Sequence, residues 1–354
     1  MLATERDSVT AGLVRDAGVA PRLSVVAPCF NEMETLAELH RRVSSTCQAA
    51  VGTDYEIVLV NDGSRDDTWR MMALLATRDP HVAAINLTRN YGKQIALTAG
   101  LDHCRGERIL IIDADLQDPP ELLPQMLALM DDGADVVYGQ RRSRSGETRL
   151  KTILTWLFYR VWRRLADIDI PLDTGDFRLV NRRILTILRS MPERTRFIPG
   201  MVSWAGLKQT PIVYDRDARF AGATGLPLKK LVTLALDGIT SFSVVPLRIA
   251  SYIGLATGTL GLSMLLYTIG GWLFFHAPVG WASTTTIVLV MGSIQLMVLG
   301  IVGEYLGRLY MESKHRPLYL IDKILAHETS SAEHDSPISY AEQSGKIAQR
   351  KTVA

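Results

Sequence analysis

The segment Arg108-Ile-Leu-Ile-Ile-Asp-Ala-Asp-Leu-Gln117 joins a short apolar run to two carboxylates, Asp113 and Asp115. An apolar run of this length that ends in turn residues is typical of a strand buried on both faces of a parallel sheet. Ligands bind such sheets at the carboxyl ends of the strands, which is where these two side chains fall. A lone Asp-x-Asp is as readily an ordinary turn as a metal site, so the rest of the chain has to decide between these interpretations.

The sequence on both sides of this segment alternates between strand-like and helix-like patterns. Apolar runs predict strands at residues 23–28, 55–60, 82–87 and 135–139, and the helical spacing of apolar residues predicts helices between them. This alternation predicts an α/β fold in which a mostly parallel sheet is covered by helices on both faces.

Polar clusters follow three further predicted strands. They are Asn31 and Glu32 after the first strand, Asp62, Gly63, Ser64 and Asp66 after the second, and Arg89, Asn90 and Lys93 after the third. The chain has no Gly-x-Gly-x-x-Gly after its first strand and no Gly-x-x-x-x-Gly-Lys-Ser/Thr, which argues against a dinucleotide-dependent dehydrogenase and a P-loop protein. Carboxylates at the end of an apolar strand suit a hard divalent cation that bridges phosphate oxygens.

The composition indicates a folded protein without a nucleic-acid partner. The 354 residues are 47% apolar and 21% charged, which excludes an intrinsically disordered chain. The formal net charge is only +2, so no general basic field is available to bind nucleic acid. The 3 cysteines lack Cys-x-x-Cys spacing, and we therefore expect reduced thiols rather than a disulfide scaffold or a zinc site.

Apolar residues are concentrated towards the carboxyl terminus. Residues 249–303 contain no Asp, Glu, Lys or Arg. Within this region, apolar runs at 249–275 and 284–303 each reach the ~20 residues that span a bilayer as a helix, and they predict helices at about 249–275 and 284–306. The turn between the runs lacks Lys and Arg, whereas Arg248 precedes the first run and Arg308 follows the second. The length and composition of the two runs predict a transmembrane hairpin, and the positive-inside rule places both of its ends in the cytoplasm. Two helices of a soluble core are the alternative.

Four motifs resemble those of the inverting GT-A glycosyltransferases that act on polyprenyl phosphate. They are Pro28-Cys-Phe-Asn-Glu32, Val60-Asn-Asp-Gly-Ser64, Asn86-Leu-Thr-Arg-Asn-Tyr-Gly-Lys93 and Asp113-Ala-Asp-Leu-Gln-Asp-Pro-Pro-Glu121. This family includes dolichol-phosphate mannose synthase, bactoprenol glucosyl transferase and the undecaprenyl-phosphate aminoarabinose-type transferase. The resemblance runs from about residue 23 to about residue 323, and the apolar hairpin favours the last two branches.

The resemblance implies roles for the polar residues on the donor side. The donor nucleotide site would consist of Pro28, Asn31, Glu32, Asp62, Lys93 and Asp113. Asp62 would bind the base and ribose, and Arg89 with Lys93 would contact the diphosphate or sugar, unless the two cations simply form a solvated loop. The metal site would consist of Asp113, Asp115 and Gln117. Its Mg²⁺ or Mn²⁺ would neutralise charge on the departing nucleoside diphosphate.

On the acceptor side, Asp173-Thr-Gly-Asp-Phe-Arg178 resembles the family segment that faces the anomeric carbon. Asp176 is the expected catalytic carboxylate and Asp173 the second choice, and Arg178 would position the carboxylate or contact phosphate. Because a phosphate acceptor is already anionic at pH 7, Asp176 would either take a proton or only orient the substrates. A salt-bridged loop residue is the alternative for Asp176. The acceptor phosphate would be bound by Arg196, Arg216 and Arg219.

These expectations divide the chain into five parts. They are a tail at 1–20, a GT-A catalytic domain at 21–228 with an amphipathic interface helix at about 149–166, a second interface helix at 229–247, two transmembrane helices within 248–309, and a cytosolic segment at 310–354. We expect a multi-pass protein of the bacterial inner membrane, with the catalytic domain and both termini in the cytoplasm. The resemblance also implies a homo-oligomer, namely a tetramer.

The predicted reaction is transfer of a sugar, with inversion, from a nucleotide-diphospho-sugar to polyprenyl phosphate at the cytoplasmic face of the bilayer. UDP-glucose or a related UDP-sugar is the expected donor, and a mannose synthase that uses GDP-mannose is one alternative. A processive polysaccharide synthase is another, although the chain has no Gln-x-x-Arg-Trp motif. The third is a non-catalytic membrane scaffold, which would have no need of carboxylates such as Asp113 and Asp115 at a strand end.

Overall fold

The computed structural model describes residues 20–142, 174–215, 245–275 and 281–326. At its centre are four almost fully buried strands: β1 (Leu23–Cys29), β2 (Tyr55–Asn61), β3 (Val82–Leu87) and β4 (Arg108–Ile111). β1 pairs in parallel with both β2 and β4, and β2 pairs in parallel with β3. The polar motifs that follow these strands therefore meet at one edge of the sheet.

Helices cover both faces of these strands, as the alternating pattern predicts. α1 (Leu36–Val51), α2 (Thr68–Arg78) and α3 (Lys93–His103) follow β1, β2 and β3. After β4, a 3-10 turn at Pro120–Leu122 leads into α4 (Leu123–Asp131). α1, α2 and α4 pack on one face and α3 on the other. All three cysteines are buried and unpaired in the structure.

The sheet becomes partly antiparallel beyond β4. β6 (Thr174–Asn181) lies between β4 and β5 (Val136–Arg141) and runs antiparallel to both. β7 (Gln209–Tyr214) pairs in parallel with β5. Two short helices, α5 (Arg182–Ser190) and α6 (Ile198–Trp204), join α3 on its face of the sheet. The mostly parallel GT-A-like sheet expected from the sequence is thus confirmed, and its antiparallel strand β6 carries Asp176 past the end of β4.

An eighth strand comes from the carboxyl-terminal part of the chain. β8 (Ile321–Ala326) pairs antiparallel with β3 and gives the sheet the order β7-β5-β6-β4-β1-β2-β3-β8. The Asn86 side-chain amide donates a hydrogen bond to Asp322 at 2.9 Å. Residues 310–354 are predicted from the sequence to form a cytosolic segment separate from the catalytic domain. In the structure, this segment supplies an edge strand to the catalytic sheet.

Two long helices precede β8, namely α7 (Val245–Phe275) and α8 (Trp281–Ser313). Both expose large apolar side chains, among them Tyr252, Leu255, Leu260, Leu296 and Leu299. Among the described residues, one helical segment, Val290–Ser313, is long and apolar enough to cross a membrane. The second span and the orientation of the hairpin stay predictions.

Several predicted features fall outside the described residues. They are the tail at 1–19, the interface helix at about 149–166, Asp173, Arg216, Arg219, residues 229–244 of the second interface helix, and the chain beyond residue 326.

Candidate active site

The carboxyl ends of β1, β2, β3 and β4 form an open cleft of about 800 Å³. The predicted site residues on its walls are Pro28, Glu32, Asp62, Lys93, Asp113 and Asp115. Arg89 also lines the cleft, whereas Asn31 and Gln117 do not. The structure thus brings most of the predicted donor residues together with both carboxylates of the Asp-x-Asp motif.

Asp62 holds one wall of this cleft in place. It is buried at the end of β2, and both of its oxygens accept hydrogen bonds from the loop after β3. The backbone N–H of Tyr91 donates to Oδ1 at 2.7 Å and that of Gly92 to Oδ2 at 3.0 Å. Burial raises the pKa of Asp62, and the two backbone donors partly offset this effect. Since each carboxylate oxygen has further lone pairs, Asp62 can organise the loop that leads to Lys93 and still accept from a ligand.

Gly63 allows the loops after β2 and β3 to lie very close together. Its φ is +65°, and a Cβ at this position would lie 2.4 Å from the carbonyl carbon of Arg89. Only glycine combines this backbone conformation with such a close approach at no steric cost. The close approach of these two loops therefore requires glycine at position 63 of the second motif.

Asn31 and Glu32 connect the loops around the cleft. The backbone N–H of Asn31 donates to Ser64 Oγ at 3.0 Å, and Asn31 Oδ1 accepts from the N–H of Arg65 at 2.9 Å. Glu32 lines the cleft, and its Oε2 accepts from the hydroxyl of Thr35 at 2.9 Å. Asn31 was predicted as a donor-site residue, and the structure places its side chain against the neighbouring loop.

Lys93, the first residue of α3, joins the predicted donor side to the predicted catalytic carboxylate. Its Nζ lies 2.7 Å from Oδ1 of Asp113 and 2.6 Å from Oδ2 of Asp176. This contact depends on the register between β4 and β6, which pairs Ile111 with Arg178. Continued by two residues in each direction, that register brings Asp176 opposite Asp113.

The two carboxylates that share Lys93 have different electrostatic environments. Burial raises the pKa of Asp113, and the attraction of Lys93 offsets this only in part. Burial also acts against the charged form of Asp176, but Lys93 and Arg178 outweigh it and lower the pKa of Asp176. Asp176 is therefore ionised at neutral pH. Asp113 is the carboxylate that would gain more from an additional cation.

Asp113 and Asp115 supply carboxylate oxygens suited to a metal site whose remaining ligands come from a substrate. Asp115 precedes Leu116, a buried residue with an uncommon φ of +60°, and Asp115 Oδ1 accepts from the N–H of Gln117 at 3.1 Å. In the described parts of the chain, no group of three or more His, Cys, Asp or Glu side chains is placed to hold a metal. Mg²⁺ is commonly bound by one or two carboxylates together with substrate phosphates. The two Asp residues therefore fit an ion that is shared with a diphosphate.

Arg178 and Arg196 lie outside the cleft wall. Arg178 is 3% exposed and donates to the backbone oxygens of Gly175 at 2.8 Å and Asp176 at 3.3 Å. It is thus placed to hold the backbone of Asp176, one of the two roles expected for it. Arg196 donates to the carbonyl of Leu188 at 3.1 Å. Of the three predicted acceptor arginines, only Arg196 belongs to the described residues, and it does not line the cleft.

The structure also shows polar contacts that the sequence analysis missed. Gln94, next to Lys93, places its amide nitrogen 3.1 Å from both oxygens of Asp176. The fully buried Asp118 accepts a hydrogen bond from Tyr214, and Arg141 Nη2 lies 3.9 Å from it. Asp118 and Tyr214 are far apart in sequence and meet through the pairing of β7 with β5, for which the sequence offers no signal.

Two family models match this chain, one over most of the sheet that forms the cleft and one over the two long helices. Residues 24–188 match the family described as Glycosyl transferase family 2, and residues 245–309 match the GtrB C-terminal hairpin. The glycosyltransferase YkcC of Bacillus subtilis (strain 168), described as uncharacterized, is 42% identical over 320 residues, with 89% of this chain and 98% of that protein covered.

Two similar proteins have names that state an activity. The prophage bactoprenol glucosyl transferase homolog of Escherichia coli (strain K12) is 41% identical over 86% of this chain and 99% of its own length. The bactoprenol glucosyl transferase of Shigella phage SfV is 40% identical over 85% of this chain and 98% of its own length. The two family matches together include the cleft residues and most of the two long apolar helices, and the chain therefore belongs to glycosyl transferase family 2, in the group that carries the GtrB C-terminal hairpin.

Proposed function

We propose that this protein transfers a sugar from a nucleotide-diphospho-sugar to a polyprenyl phosphate at the surface of a membrane. A phosphate oxygen of the lipid attacks the anomeric carbon, and the bond from that carbon to the nucleoside diphosphate breaks with its electron pair. The observation that carries the proposal is the Lys93 bridge, which joins Asp113 in the cleft to Asp176 on β6. It links a site suited to a diphosphate with a carboxylate suited to the reacting sugar.

The proposed donor is UDP-glucose or a related UDP-sugar. Its support is that similar proteins covering most of this chain are named bactoprenol glucosyl transferases. The cleft volume of about 800 Å³ is within the usual range for small-molecule sites, and its cations Lys93 and Arg89 suit a diphosphate. Sugar choice depends on individual hydroxyl contacts, so GDP-mannose stays the second candidate donor.

Asp113 and Asp115 are proposed to hold Mg²⁺ or Mn²⁺ together with the donor diphosphate, and Gln117 stays a predicted further ligand. The ion would supply positive charge that stabilises the departing nucleoside diphosphate without protonating it. Asp113 suits this role because its buried carboxylate is only partly compensated by Lys93. Asp62, at the end of β2, is proposed to bind the base and ribose.

Asp176 is proposed as the carboxylate closest to the reacting carbon, with Asp173 as the second candidate. Lys93 and Arg178 keep it ionised, so it is able to accept hydrogen bonds from sugar hydroxyls or to take a proton. Because the acceptor phosphate is already an anion, orientation of the substrates is its principal proposed contribution. A single displacement of this kind inverts the configuration at the anomeric carbon.

The acceptor is proposed to approach from the bilayer side. Arg196, Arg216 and Arg219 are the proposed phosphate contacts, and the apolar helices α7 and α8 are the proposed membrane anchor. We place the protein in the bacterial inner membrane with its catalytic domain in the cytoplasm and with a homo-oligomeric assembly. The length and composition of Val290–Ser313 support the membrane part of this proposal.

Transfer of label from nucleotide sugars to undecaprenyl phosphate by the purified protein tests the proposal. Labelled UDP-glucose, other UDP-sugars and GDP-mannose are compared, each with divalent metal and with metal plus a chelator. We expect a labelled lipid from one UDP-sugar, metal dependence, and no product from the variant Asp115→Asn. A long labelled polymer would instead favour a processive synthase, and absence of product with every donor would favour a scaffold.

A further inference from the structure

Gln94, a residue of α3, contacts two other elements around the proposed catalytic carboxylate. It lies in the first turn of α3, directly after Lys93. Its Nε2 donates to Oδ1 and Oδ2 of Asp176 on β6, at 3.1 Å each. Its Oε1 accepts from the backbone N–H of Ile198, the first residue of α6, at 3.0 Å. One amide thus joins α3, β6 and the start of α6.

The chemistry of these partners fixes the orientation of the amide. The N–H of Ile198 is one of the free donors at the start of a helix, so it requires an acceptor and selects Oε1. The ionised carboxylate of Asp176 is an acceptor only, so it selects Nε2. Both partners impose the same orientation, and a rotation of the amide by 180° would break both sets of contacts.

This arrangement restricts Asp176 more than an ion pair alone. Lys93 Nζ is a compact charge on a flexible stem and sets no particular plane for the carboxylate. Gln94 contacts both oxygens from one nitrogen, while Arg178 holds the backbone oxygen of the same residue. The side chain of Asp176 is only 11% exposed, so few water molecules are available to replace a lost contact.

The start of α6 is itself held by the long helix α8. The N–H of Arg194, four residues before Ile198, donates to Glu312 Oε1 at 2.7 Å. Glu312 lies in the last turn of α8. The backbone group that orients Gln94 therefore belongs to a segment fixed between the catalytic sheet and the apolar helices.

We propose that Gln94 is a positioning residue that holds the carboxylate of Asp176 in the plane needed for transfer. This inference rests on the proposed function, because it takes Asp176 as the carboxylate at the reacting carbon. Gln94 acts through Asp176 and through the start of α6, and it is not itself a group that reacts.

The variant Gln94→Met tests this role. Methionine has a similar length and is a good helix former, but it offers neither the donor nor the acceptor. We expect kcat for sugar transfer to fall by about ten- to a hundredfold, because loss of a group that orients a catalytic residue has effects of this size. KM for the nucleotide sugar and the dissociation constant of the nucleoside diphosphate should stay within about twofold, since the cleft walls do not include Gln94.

Thr98→Val is the matched control. Thr98 lies one turn after Gln94 on α3, and its Oγ1 donates to the backbone oxygen of Gln94. Loss of this hydroxyl therefore leaves the side-chain amide of Gln94 unchanged. This variant should keep wild-type kcat. If Gln94→Met does not fold, Gln94→Asn retains the amide on a stem too short for both partners and should show the same selective loss of kcat.

The outcomes separate this inference from the proposed function. An unchanged kcat in a folded Gln94 variant would overturn the inference, as would a loss of nucleotide affinity equal to the loss of kcat. Absence of lipid-linked product from the wild-type protein would instead overturn the proposed function.

Discussion

The ammonium of Lys93, at the start of α3, lies 2.6 Å from a carboxylate oxygen of Asp176 on the antiparallel strand β6. The same nitrogen lies 2.7 Å from Asp113 at the end of β4. A cation between two partly buried carboxylates lowers their mutual repulsion and holds both in one geometry. Lys93 thus connects the cleft at the ends of the parallel strands with Asp176 on the antiparallel strand β6, and together they form a single site.

Replacement of Lys93 by Met should remove that connection. We expect kcat/KM for the nucleotide sugar to fall by about a hundredfold or more, because Asp113 and Asp176 then repel each other and a cation near the diphosphate is lost. Steady-state transfer kinetics measure the effect. Lys208→Met is the control, since Lys208 is an exposed cation that contacts the carbonyl of Asp132. Equal kinetics for the two variants would show that the Lys93 bridge has no part in the reaction.

Much of the sheet follows from local sequence patterns. Strand β3 has the predicted bounds, because Val82–Leu87 is a continuous apolar run. Strand β8 was not predicted, since Ile321–Ala326 is short and begins with Ile-Asp-Lys. It forms by pairing with β3, which lies far away in sequence.

The candidate site was predictable to a similar extent. Asp62, Asp113 and Asp115 follow buried strands and carry recognisable motifs, so their meeting at one edge of the sheet could be expected. The bridge from Lys93 to Asp176 depends on the antiparallel register of β6 with β4, which no local pattern encodes. Gln94 was missed for the same reason, because its partners lie on β6 and α6.

Strand β8 should contribute to the stability of the catalytic domain. Ile324 pairs with Ile85 and packs against the apolar layer that contains α3. Ile324→Asp should lower the free energy of unfolding by about 2 kcal/mol, because it places a charged side chain in a partly buried apolar contact. The neighbouring Lys323 is exposed, so Lys323→Asp should have a much smaller effect. Thermal or denaturant unfolding of both variants measures the difference, and equal stabilities would contradict the packing of β8 on β3.

Asp79 should make stability depend on pH in the acidic range. Burial opposes its charge, but the backbone N–H of His81 and the rings of His40 and His81 donate to it, and together they lower the pKa of Asp79 from 3.8. A lowered pKa stabilises the folded state above the unfolded-state pKa, and this stabilisation disappears as the pH falls through the folded-state pKa.

The comparison of wild type with Asp79→Asn isolates this contribution. The melting temperature of the variant should be lower than that of the wild type near pH 7, and the difference should shrink as the pH falls below about 4. A difference that stays constant down to about pH 3 would show that the carboxylate charge contributes nothing.

The orientation of the apolar hairpin can be tested with single cysteines. The natural cysteines Cys29, Cys47 and Cys104 are buried, so they should give little background labelling. Val279→Cys should react with an impermeant thiol reagent added outside the cell, whereas Ser330→Cys should not, because basic residues flank the hairpin only at its cytoplasmic ends. Labelling of Ser330→Cys alone would reverse the topology and would place the donor cleft outside the cytoplasm.

We propose above that the cleft and the Lys93 bridge perform glycosyl transfer to a lipid phosphate. The most direct measurement is the mass spectrum of undecaprenyl phosphate after incubation with the purified protein, UDP-glucose and Mg²⁺. We predict that the lipid gains the mass of one hexose unit, that a chelator abolishes this gain, and that Asp115→Asn does not produce it. Release of free sugar into water while the mass of the lipid stays unchanged would contradict the account.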